Sequence, residues 1–356
     1  MTSKGDTAPL CNPDDVKGGH RPPLQPPGVI ALDANGADGG PAMVAEGARL
    51  SGESVTLFGP AEELSGVHVV DAPMRISGDQ EPVRAVRARP EASIVQAAKA
   101  VAEGRADALV SAGSTGPTLA AATLNVKRIR GVHRPALAAL LPLPSGPALL
   151  LDAGANVEVR PEHLVQFAYM GSAFMESVHG IARPRVGLLS VGEEPGKGTP
   201  DVIAAGERLR ASNLNFTGNV EGFDLPAGGA DVVVTDGFTG NVALKVMEGT
   251  SRTVREAIRD AVRAGGPLPA AGGLLIRGAV GRLRRQLDPE AAGGAILLGL
   301  RKPVIVAHGS FGAQGIANAV ALARRAVDER MVERTHAALE AGGALRSAPA
   351  GSVADR

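Results

Sequence analysis

Residues 231–245 read DVVVTDGFTGNVALK. An apolar, β-branched run that ends at Thr235 is joined to a helical pattern through the glycine-containing loop 236–241. Such a run predicts a buried strand, and a strand that leads directly into a helix is the repeating unit of α/β folds. Glycines allow close backbone approach, and the amides at a helix start attract anions. The segment predicts an α/β protein whose loop binds an anion.

The same arrangement recurs along the chain, because five further apolar runs each end in a polar, glycine-rich turn. These runs are residues 29–33, 108–111, 148–152, 185–190 and 303–307. Apolar strands alternating with helices predict a doubly wound, mostly parallel sheet covered on both faces, an α/β/α sandwich. Ligands bind at the carboxyl ends of such strands, so we expect the turns to converge on one crevice.

The composition limits the possible functions. Lys plus Arg and Asp plus Glu both total 37 among 356 residues, so no global charge attracts a polyanion. Aromatic residues make up 2%, which argues against base stacking on nucleic acid. One cysteine, no long apolar run and no signal-like start predict a soluble, cytoplasmic protein. We expect no nucleic-acid partner.

Nucleotide, dinucleotide and metal sites have little support in the sequence. No G-x-G-x-x-G follows a strand, and the glycine-rich stretch 192–198 lacks the spacing and the Ser or Thr of a phosphate-binding P-loop. The histidines have neither metal-ligand spacing nor a cysteine partner. We therefore expect no cofactor and no metal.

The chain is expected to contain one catalytic domain between two terminal segments. Residues 1–27 hold six prolines and predict a disordered tail. Residues 28–330 are expected to form a single α/β/α domain, and residues 331–356 a helical or disordered extension.

Twelve short motifs and one lysine, in one order, resemble a single family. They are DA at 33–34, SAG at 111–113, TG at 115–116, RPA at 134–136, LDAGAN at 151–156, PEHL at 161–164, GEEPGKG at 192–198, GNVEG at 218–222, DGFTGNV at 236–242, Lys245, GGA at 293–295, LGL at 298–300 and AHGS at 307–310. The family is that of the PlsX-type phosphate acyltransferases of bacterial phospholipid synthesis. Its fold is similar to that of phosphotransacetylases and isocitrate-type dehydrogenases.

The resemblance implies transfer of a fatty acyl group from acyl carrier protein to inorganic phosphate, which gives acyl phosphate. It also implies a product that passes to a membrane glycerol-3-phosphate acyltransferase. Phosphate is itself a nucleophile, so the protein must position it against a thioester, offset its charge and stabilise an oxyanion.

The candidate residues follow from the motifs. The catalytic candidates are Lys245, His308, Asp236 and Asn241, with His308 as proton donor to the departing thiolate. The candidates for binding phosphate or substrate are Asp33, Gly36, Ser111, Gly113, Thr115, Gly116, Asn156, Lys197, Asn219, Glu221, Thr239, Gly240 and Ser310.

Each candidate also has an ordinary structural explanation. Asp236 could cap the loop that follows it, Lys245 could lie on a solvated helix face, and His308 could be a core histidine. Lys197 could pair with the neighbouring acids Glu193 and Glu194. Asn156, Asn219 and Glu221 could be turn formers, while Asp33 and Asp152 could hold neighbouring turns by accepting backbone hydrogen bonds.

The sequence departs from the family at Asn35, Ala37, Ser114 and Ala292. Ala37 matters most, because it replaces a glycine and alanine adopts positive φ poorly. We expect this change to alter activity or substrate preference if that turn needs the glycine.

The segment 265–292 has apolar residues at helical spacing beside several arginines. The membrane-facing candidates are Leu275, Ile276, Arg277, Val280 and Leu283. A basic amphipathic helix can lie on an anionic membrane, and the alternative is a dimer contact. We expect both together, in a homodimer that is peripheral on the inner face of the membrane.

Two other functions remain open from the sequence. A phosphotransacetylase-like enzyme of the same fold would use acyl-coenzyme A as the acyl donor. A diverged, non-catalytic paralogue would bind acyl carrier protein without turnover. The sequence leaves the acyl chain length undetermined.

Overall fold

The protein is described by a computed structural model over residues 28–64, 66, 68–78, 81–266, 272, 275–281 and 288–346. The predicted tail 1–27, the membrane candidate Leu283 and residues 347–356 lie outside the described residues.

Eleven strands form one sheet in the described part of the chain. They are β1 Ile30–Asp33, β2 Val55–Gly59, β3 His68–Asp71, β4 Ala108–Ser111, β5 Ala136–Leu143, β6 Gly146–Leu151, β7 Val186–Leu189, β8 Phe216–Val220, β9 Val232–Val234, β10 Ala295–Leu298 and β11 Val304–Val306. The order across the sheet is β3-β2-β1-β4-β11-β10-β5-β6-β9-β7-β8.

Helices cover both faces of this sheet. They are α1 Gly40–Ser51, α2 Pro82–Ala88, α3 Ser93–Ala102, α4 Thr115–Asn125, α5 Pro161–His179, α6 Pro200–Arg210, α7 Asp224–Ala227, α8 Gly237–Ala264, α9 Ala313–Asp328 and α10 Met331–Ala341. One apolar core joins the sheet to α1, α5, α6, α9 and α10. Two further cores join its other face to α2, α3 and α4 and to α7 and α8. The predicted three-layer α/β/α architecture is confirmed.

The strand pattern explains why the sheet is buried on both faces. Along β1, Ile30 and Leu32 face one core while Ala31 faces the other, as the two-residue period of a strand requires. The strands β1, β4, β7, β9 and β11 are fully buried, and they are apolar apart from Asp33 and Ser111 at the ends of β1 and β4. In β6, residues 148–151 are buried and apolar, while the strand start is at least partly exposed.

The strand directions divide the sheet into two halves. Strands β2, β3, β4 and β11 lie parallel to β1, and β7, β8 and β9 lie parallel to β6. Three antiparallel pairings, β11–β10, β10–β5 and β5–β6, separate these halves and reverse the strand direction.

The glycine-rich turns therefore do not all leave the sheet at the same edge, and their convergence on one crevice stays a prediction. The turns after β1, β4 and β11 form a first group, and those after β6, β7, β8 and β9 form a second group that leaves the sheet in the reversed direction. A sheet twists by about 20–25° at each strand. The five steps from β4 to β9 thus turn the two groups strongly relative to one another.

The last helix belongs to the packed body. In α10, the side chains of Met331 and Leu339 are buried, and the helix lies against α5. The predicted division into a domain at 28–330 and an extension at 331–356 stays a prediction.

The segment predicted to face a membrane is partly described, and residues 275–281 are helical. Leu275, Ile276 and Val280 expose 87%, 55% and 53% of their surface, and Arg277 is exposed. Among the described residues, no helix has both the length and the apolar character that crossing a membrane would need.

Candidate active site

Asp33 lies at the centre of the first group of turns, where it is buried at the end of β1. Its carboxylate accepts hydrogen bonds from the hydroxyl of Ser111 at 2.8 Å and from the amide of Asn35 at 3.2 Å. Burial raises the pKa of Asp33 from 3.8 to about 6, although hydrogen bonds from Ser93, Ser111 and Asn35 oppose the rise. Asp33 thus ties the β1 turn to the β4 turn.

Two glycines bring these turns into backbone contact. Gly36 has a φ of +106°, and a methyl group at its Cα would lie 2.8 Å from the Cα of Gly113. A methyl group on Gly113 would lie 3.4 Å from Asp33 Oδ2. The first group is therefore packed without room for a side chain at Gly36.

Helix α4 starts beside these glycines and presents free backbone donors. Its N-cap, Ser114, makes no side-chain cap hydrogen bond, and no acidic residue lies in the first turn. Within the described part of the chain, the N–H groups of Ser114, Thr115 and Gly116 donate to no protein acceptor. This helix start has the positive end of the helix dipole and open amides, which together suit an anion.

His308 and Ser310 follow β11 and complete the first group. His308 is exposed, which is inconsistent with a core histidine, and its Nδ1 lies 2.7 Å from Ser310 Oγ. The amide of Ser310 also donates to Nδ1 at 3.2 Å, so Nδ1 is the acceptor and Nε2 carries the proton in the neutral ring. The carbonyl of Gly309 accepts from the amide of Asp38 at 2.8 Å, which fixes this turn to the β1 turn.

Asp152 organises the start of the second group. It is fully buried after β6, and Oδ1 accepts from the amides of Leu137, Gly154 and Ala155 at 2.9–3.1 Å. Its Oδ2 accepts from the amide and the side chain of Asn156, both at 2.7 Å. Burial raises the pKa of Asp152, while these hydrogen bonds lower it. The expected turn-holding role of Asp152 is present in the geometry.

Asp236 caps helix α8. Its carboxylate accepts from the amide of Thr239 at 2.8 Å and from the hydroxyl of Thr239 at 2.7 Å. A methyl group at Gly240 would overlap the carbonyl oxygen of Asp152, so this glycine is needed for packing between turns. The N-terminus of α8 thus already faces a carboxylate, which offsets its dipole.

The polar residues further along α8 face solvent. The side chain of Asn241 is exposed, lies about 3.7 Å from the position of a methyl group at Gly154, and makes no hydrogen bond to the described residues. Lys245 pairs with Glu248 at 2.8 Å, with about half of its side chain exposed. The side chain of Asn241 is thus exposed, while the ammonium of Lys245 is paired with Glu248.

The turns after β7 and β8 are held mainly by Asn219. Its side-chain amide donates to the carbonyls of Gly192, Glu194 and Lys197 at 2.8–3.3 Å, as a turn former would. Lys197 is exposed and joins no ion pair of the described residues, so the alternative explanation, a salt bridge with Glu193 or Glu194, is not present. Glu221 is partly exposed, and its backbone amide donates a hydrogen bond to the carboxylate of Asp224 at 3.0 Å.

The departures from the family pattern fit the first group without strain. Ala37 is buried in the core and does not belong to the described non-glycine residues with positive φ. Asn35 donates from its side chain to the carbonyl of Ala72 at 3.0 Å. Ser114 is the N-cap described above, and Ala292 ends a short 3₁₀ helix. The positive φ in this turn lies at Gly36, a glycine that the chain shares with the family pattern, and not at Ala37.

Three residues that lie beside the first group of turns were not among the candidates predicted from the sequence. Arg75, Ser93 and Thr118 line a cleft of about 10 Å³ together with Asp33 and Ser114. Arg75 lies in the loop after β3, and no local motif marks it, because only the sheet order brings β3 to within two strands of β1. Among the described residues, no cluster of three or more metal-ligating side chains is present.

The amino-acid sequence of the chain is similar to that of a known protein family. The profile of the family described as "Fatty acid synthesis protein" matches residues 29–334. A phosphate acyltransferase of Thermobifida fusca is 44% identical over 331 residues, covering 88% of this chain and 91% of that protein. One from Elusimicrobium minutum is 47% identical over 270 residues, covering 76% and 79%.

Solved structures agree on the fold. A phosphotransacetylase from Streptococcus pyogenes has a TM-score of 0.54 at 19% identity, covering 85% of this chain and 94% of that chain. A branched-chain phosphotransacylase from Enterococcus faecalis also has a TM-score of 0.54, at 18% identity, covering 84% and 99%. The fold is thus that of the phosphotransacetylases. Within it, the chain belongs to the fatty acid synthesis family of PlsX-type phosphate acyltransferases, and it is an enzyme.

Proposed function

We propose that the protein transfers a fatty acyl group from acyl carrier protein to inorganic phosphate and releases acyl phosphate for phospholipid synthesis. Family membership supports acyl transfer to phosphate. The structural observation that best supports the proposal is the N-terminus of α4, where backbone amides have no acceptor among the described residues. This helix start lies beside the close contact between Gly36 and Gly113.

Phosphate is placed at this helix start rather than at α8. The amides of Ser114, Thr115 and Gly116 are open donors, whereas the first turn of α8 is already occupied by the carboxylate of Asp236. Arg75 lines the same cleft as Ser114 and supplies a cation that can pair with phosphate oxygens. Ser111 and Asp33 hold the turn that carries these donors.

The chemistry needs one bond exchange and one proton. A phosphate oxygen attacks the thioester carbonyl carbon, the carbon–sulfur bond breaks, and the sulfur leaves as a thiolate that takes a proton. His308 is exposed at the rim of the first group, its Nε2 faces away from Ser310, and it is the proposed proton donor. Asn241 of the second group is the proposed donor to the carbonyl oxygen, and Lys245 the proposed nearby cation.

The proposed assembly is a homodimer that touches the membrane. Exposed Val246, Val254 and Ile258 recur at helical spacing along α8, and such a stripe supports a contact with a second copy. The exposed residues Leu275, Ile276 and Val280 support a membrane contact, from which acyl phosphate passes to a membrane acyltransferase. The proposed location is accordingly the cytoplasm, peripheral on the membrane.

Site variants test the proposal through phosphate-dependent thiol release from acyl carrier protein. We expect Arg75→Ala to raise the KM for phosphate at least tenfold and His308→Ala to lower kcat at least tenfold. Loss of turnover in Lys245→Ala, but not in the control Glu248→Ala, would support a role for the second group of turns in catalysis. Unchanged kinetics in both Arg75→Ala and His308→Ala would remove the first group from the proposal.

The identity of the acyl donor distinguishes a second candidate function from the first. The phosphotransacetylase-like fold also supports an enzyme that uses acyl-coenzyme A. Turnover with acyl-coenzyme A but not with acyl carrier protein would favour that candidate, and absence of turnover with both would favour a non-catalytic paralogue.

A further inference from the structure

Six exposed cations form a basic patch outside the two groups of turns. They are Lys127, Arg128, Arg130, Arg134, Arg301 and Arg346. None of them belongs to an ion pair of the described residues. The chain as a whole has 37 cationic and 37 anionic side chains, so this excess of positive charge is local.

The backbone beneath the basic patch is rigidly held. Lys127 follows the end of α4 in the left-handed conformation, at a φ of 68°, and its carbonyl accepts from the amide of Arg301 at 3.0 Å. Buried Gln166 of α5 donates to the carbonyls of Gly131 and Ala344, and it accepts from the amide of His133. The cations are therefore carried on a fixed surface, which limits the entropy lost on binding.

A groove of about 350 Å³ lies within the basic patch. Its lining residues are Ile129, Arg130, Arg301, Val332, Glu333 and His336. Ile129 is buried, and it provides an apolar floor together with Val332 of α10, while two arginines stand at the rim against one carboxylate. An apolar groove with a cationic rim is complementary to an acidic helix that carries an exposed apolar side chain.

The basic patch is joined directly to the second group of turns. Pro135, next to Arg134, accepts a hydrogen bond from the side chain of Asn156 at 2.8 Å. Leu137 donates to Asp152 at 3.0 Å, so the strand that follows the patch is fixed to the same turn. A partner bound at the patch would lie beside the loops that surround Asn156.

We infer that the basic patch docks the acidic, helical surface of the acyl-carrying protein that donates the acyl group. This inference rests on the proposed function, because it names the surface that recognises the proposed donor. The concave groove favours a protein helix over a flat anionic membrane, which is better matched by an exposed amphipathic helix.

Charge reversal at two positions tests the inference. The side chains of Arg130 and Arg134 make no hydrogen bond or ion pair within the described residues, so Arg130→Glu with Arg134→Glu is expected to fold normally. We expect this pair to weaken binding of labelled acyl carrier protein and to raise the KM for its acyl form at least tenfold. Turnover of an acyl-pantetheine donor, which lacks the protein, is expected to be unchanged.

A matched pair provides the control. Arg87→Glu with Arg210→Glu makes the same charge change at exposed positions outside the patch. Equal binding and KM in the two double variants would overturn the inference, as would loss of binding to anionic vesicles with an unchanged KM for the acyl carrier protein. Wild-type protein that binds the carrier through the patch but shows no phosphate-dependent thiol release would support the docking surface and overturn only the proposed function.

Discussion

At the residue scale, the buried carboxyl group of Asp33 joins two turns of the first group. Ser111 and Asn35 both donate to it, so its charge and its hydrogen bonds determine how firmly the two turns are held together. Because burial outweighs these hydrogen bonds, its pKa of about 6 lies above the value expected for an exposed aspartate.

Asp33 should give a measurable pH dependence of stability. The folded state binds this proton more tightly than the unfolded chain, so its contribution is fully present below about pH 4 and is lost as the pH rises through about 6. Relative to Asp33→Asn, the free energy of unfolding of the wild type should fall by up to about 3 kcal/mol over that range. Urea unfolding at several pH values measures this difference. If the free energy of unfolding changed with pH by the same amount in both proteins, the raised pKa of Asp33 would be contradicted.

The pair Gly36 and Ala37 gives a second prediction at this scale. Gly36→Ala should destabilise the protein by about 2 kcal/mol and raise the KM for phosphate, because its φ is +106° and its methyl group would meet Gly113. Ala37→Gly, which restores the family residue, should leave the KM for phosphate within about twofold, because Ala37 lies outside the positive-φ residues. A gain in activity in Ala37→Gly would mean that this departure does limit the enzyme.

At the element scale, the ends of α8 and α4 have different roles. The Asp236 carboxylate caps α8, while α4 begins with an N-cap that leaves its amides open. Asp236→Ala should lower the free energy of unfolding by about 1 kcal/mol, and Asp236→Asn by less, because asparagine is also a good cap. Denaturant titration tests the cap. Loss of turnover in Asp236→Asn beyond the loss of stability would indicate a direct role in the chemistry.

The exposed stripe of α8 gives a second prediction for an element. Val254→Asp with Ile258→Asp should convert the proposed dimer to a monomer, because each change places a charge on the apolar stripe. Arg255→Asp with Arg259→Asp is the matched control, at exposed positions that carry charge already. Sedimentation equilibrium measures the mass, and a wild-type protein that is monomeric at micromolar concentration would contradict the dimer.

At the scale of the whole molecule, local patterns in the sequence predicted more than long-range ones did. The apolar runs at 108–111 and 303–307 became β4 and β11, because a buried parallel strand is apolar on both faces. The reversal of strand direction between the two halves could not be predicted, because it depends on the antiparallel pairing of β10 with β5, in which Ile296 pairs with the distant Ala138.

The candidate site residues show the same difference between local patterns, which were predicted, and long-range arrangement, which was not. His308, Ser310, Ser111 and Gly113 were predicted from motifs and lie together, because three neighbouring parallel strands end there. Lys245 and Asn241 belong to the other group, since the sheet reverses between them and His308. Arg75 was missed because a lone arginine in a loop has no local signature.

The central claim is acyl transfer to phosphate, and trapping of the product tests it most directly. Purified wild-type protein would be incubated with long-chain acyl carrier protein, with and without phosphate, and the products treated with hydroxylamine to convert acyl phosphate to a hydroxamate. The account predicts hydroxamate formation and thiol release in equal amounts, both dependent on phosphate. Thiol release that is independent of phosphate, or release without hydroxamate, would contradict it.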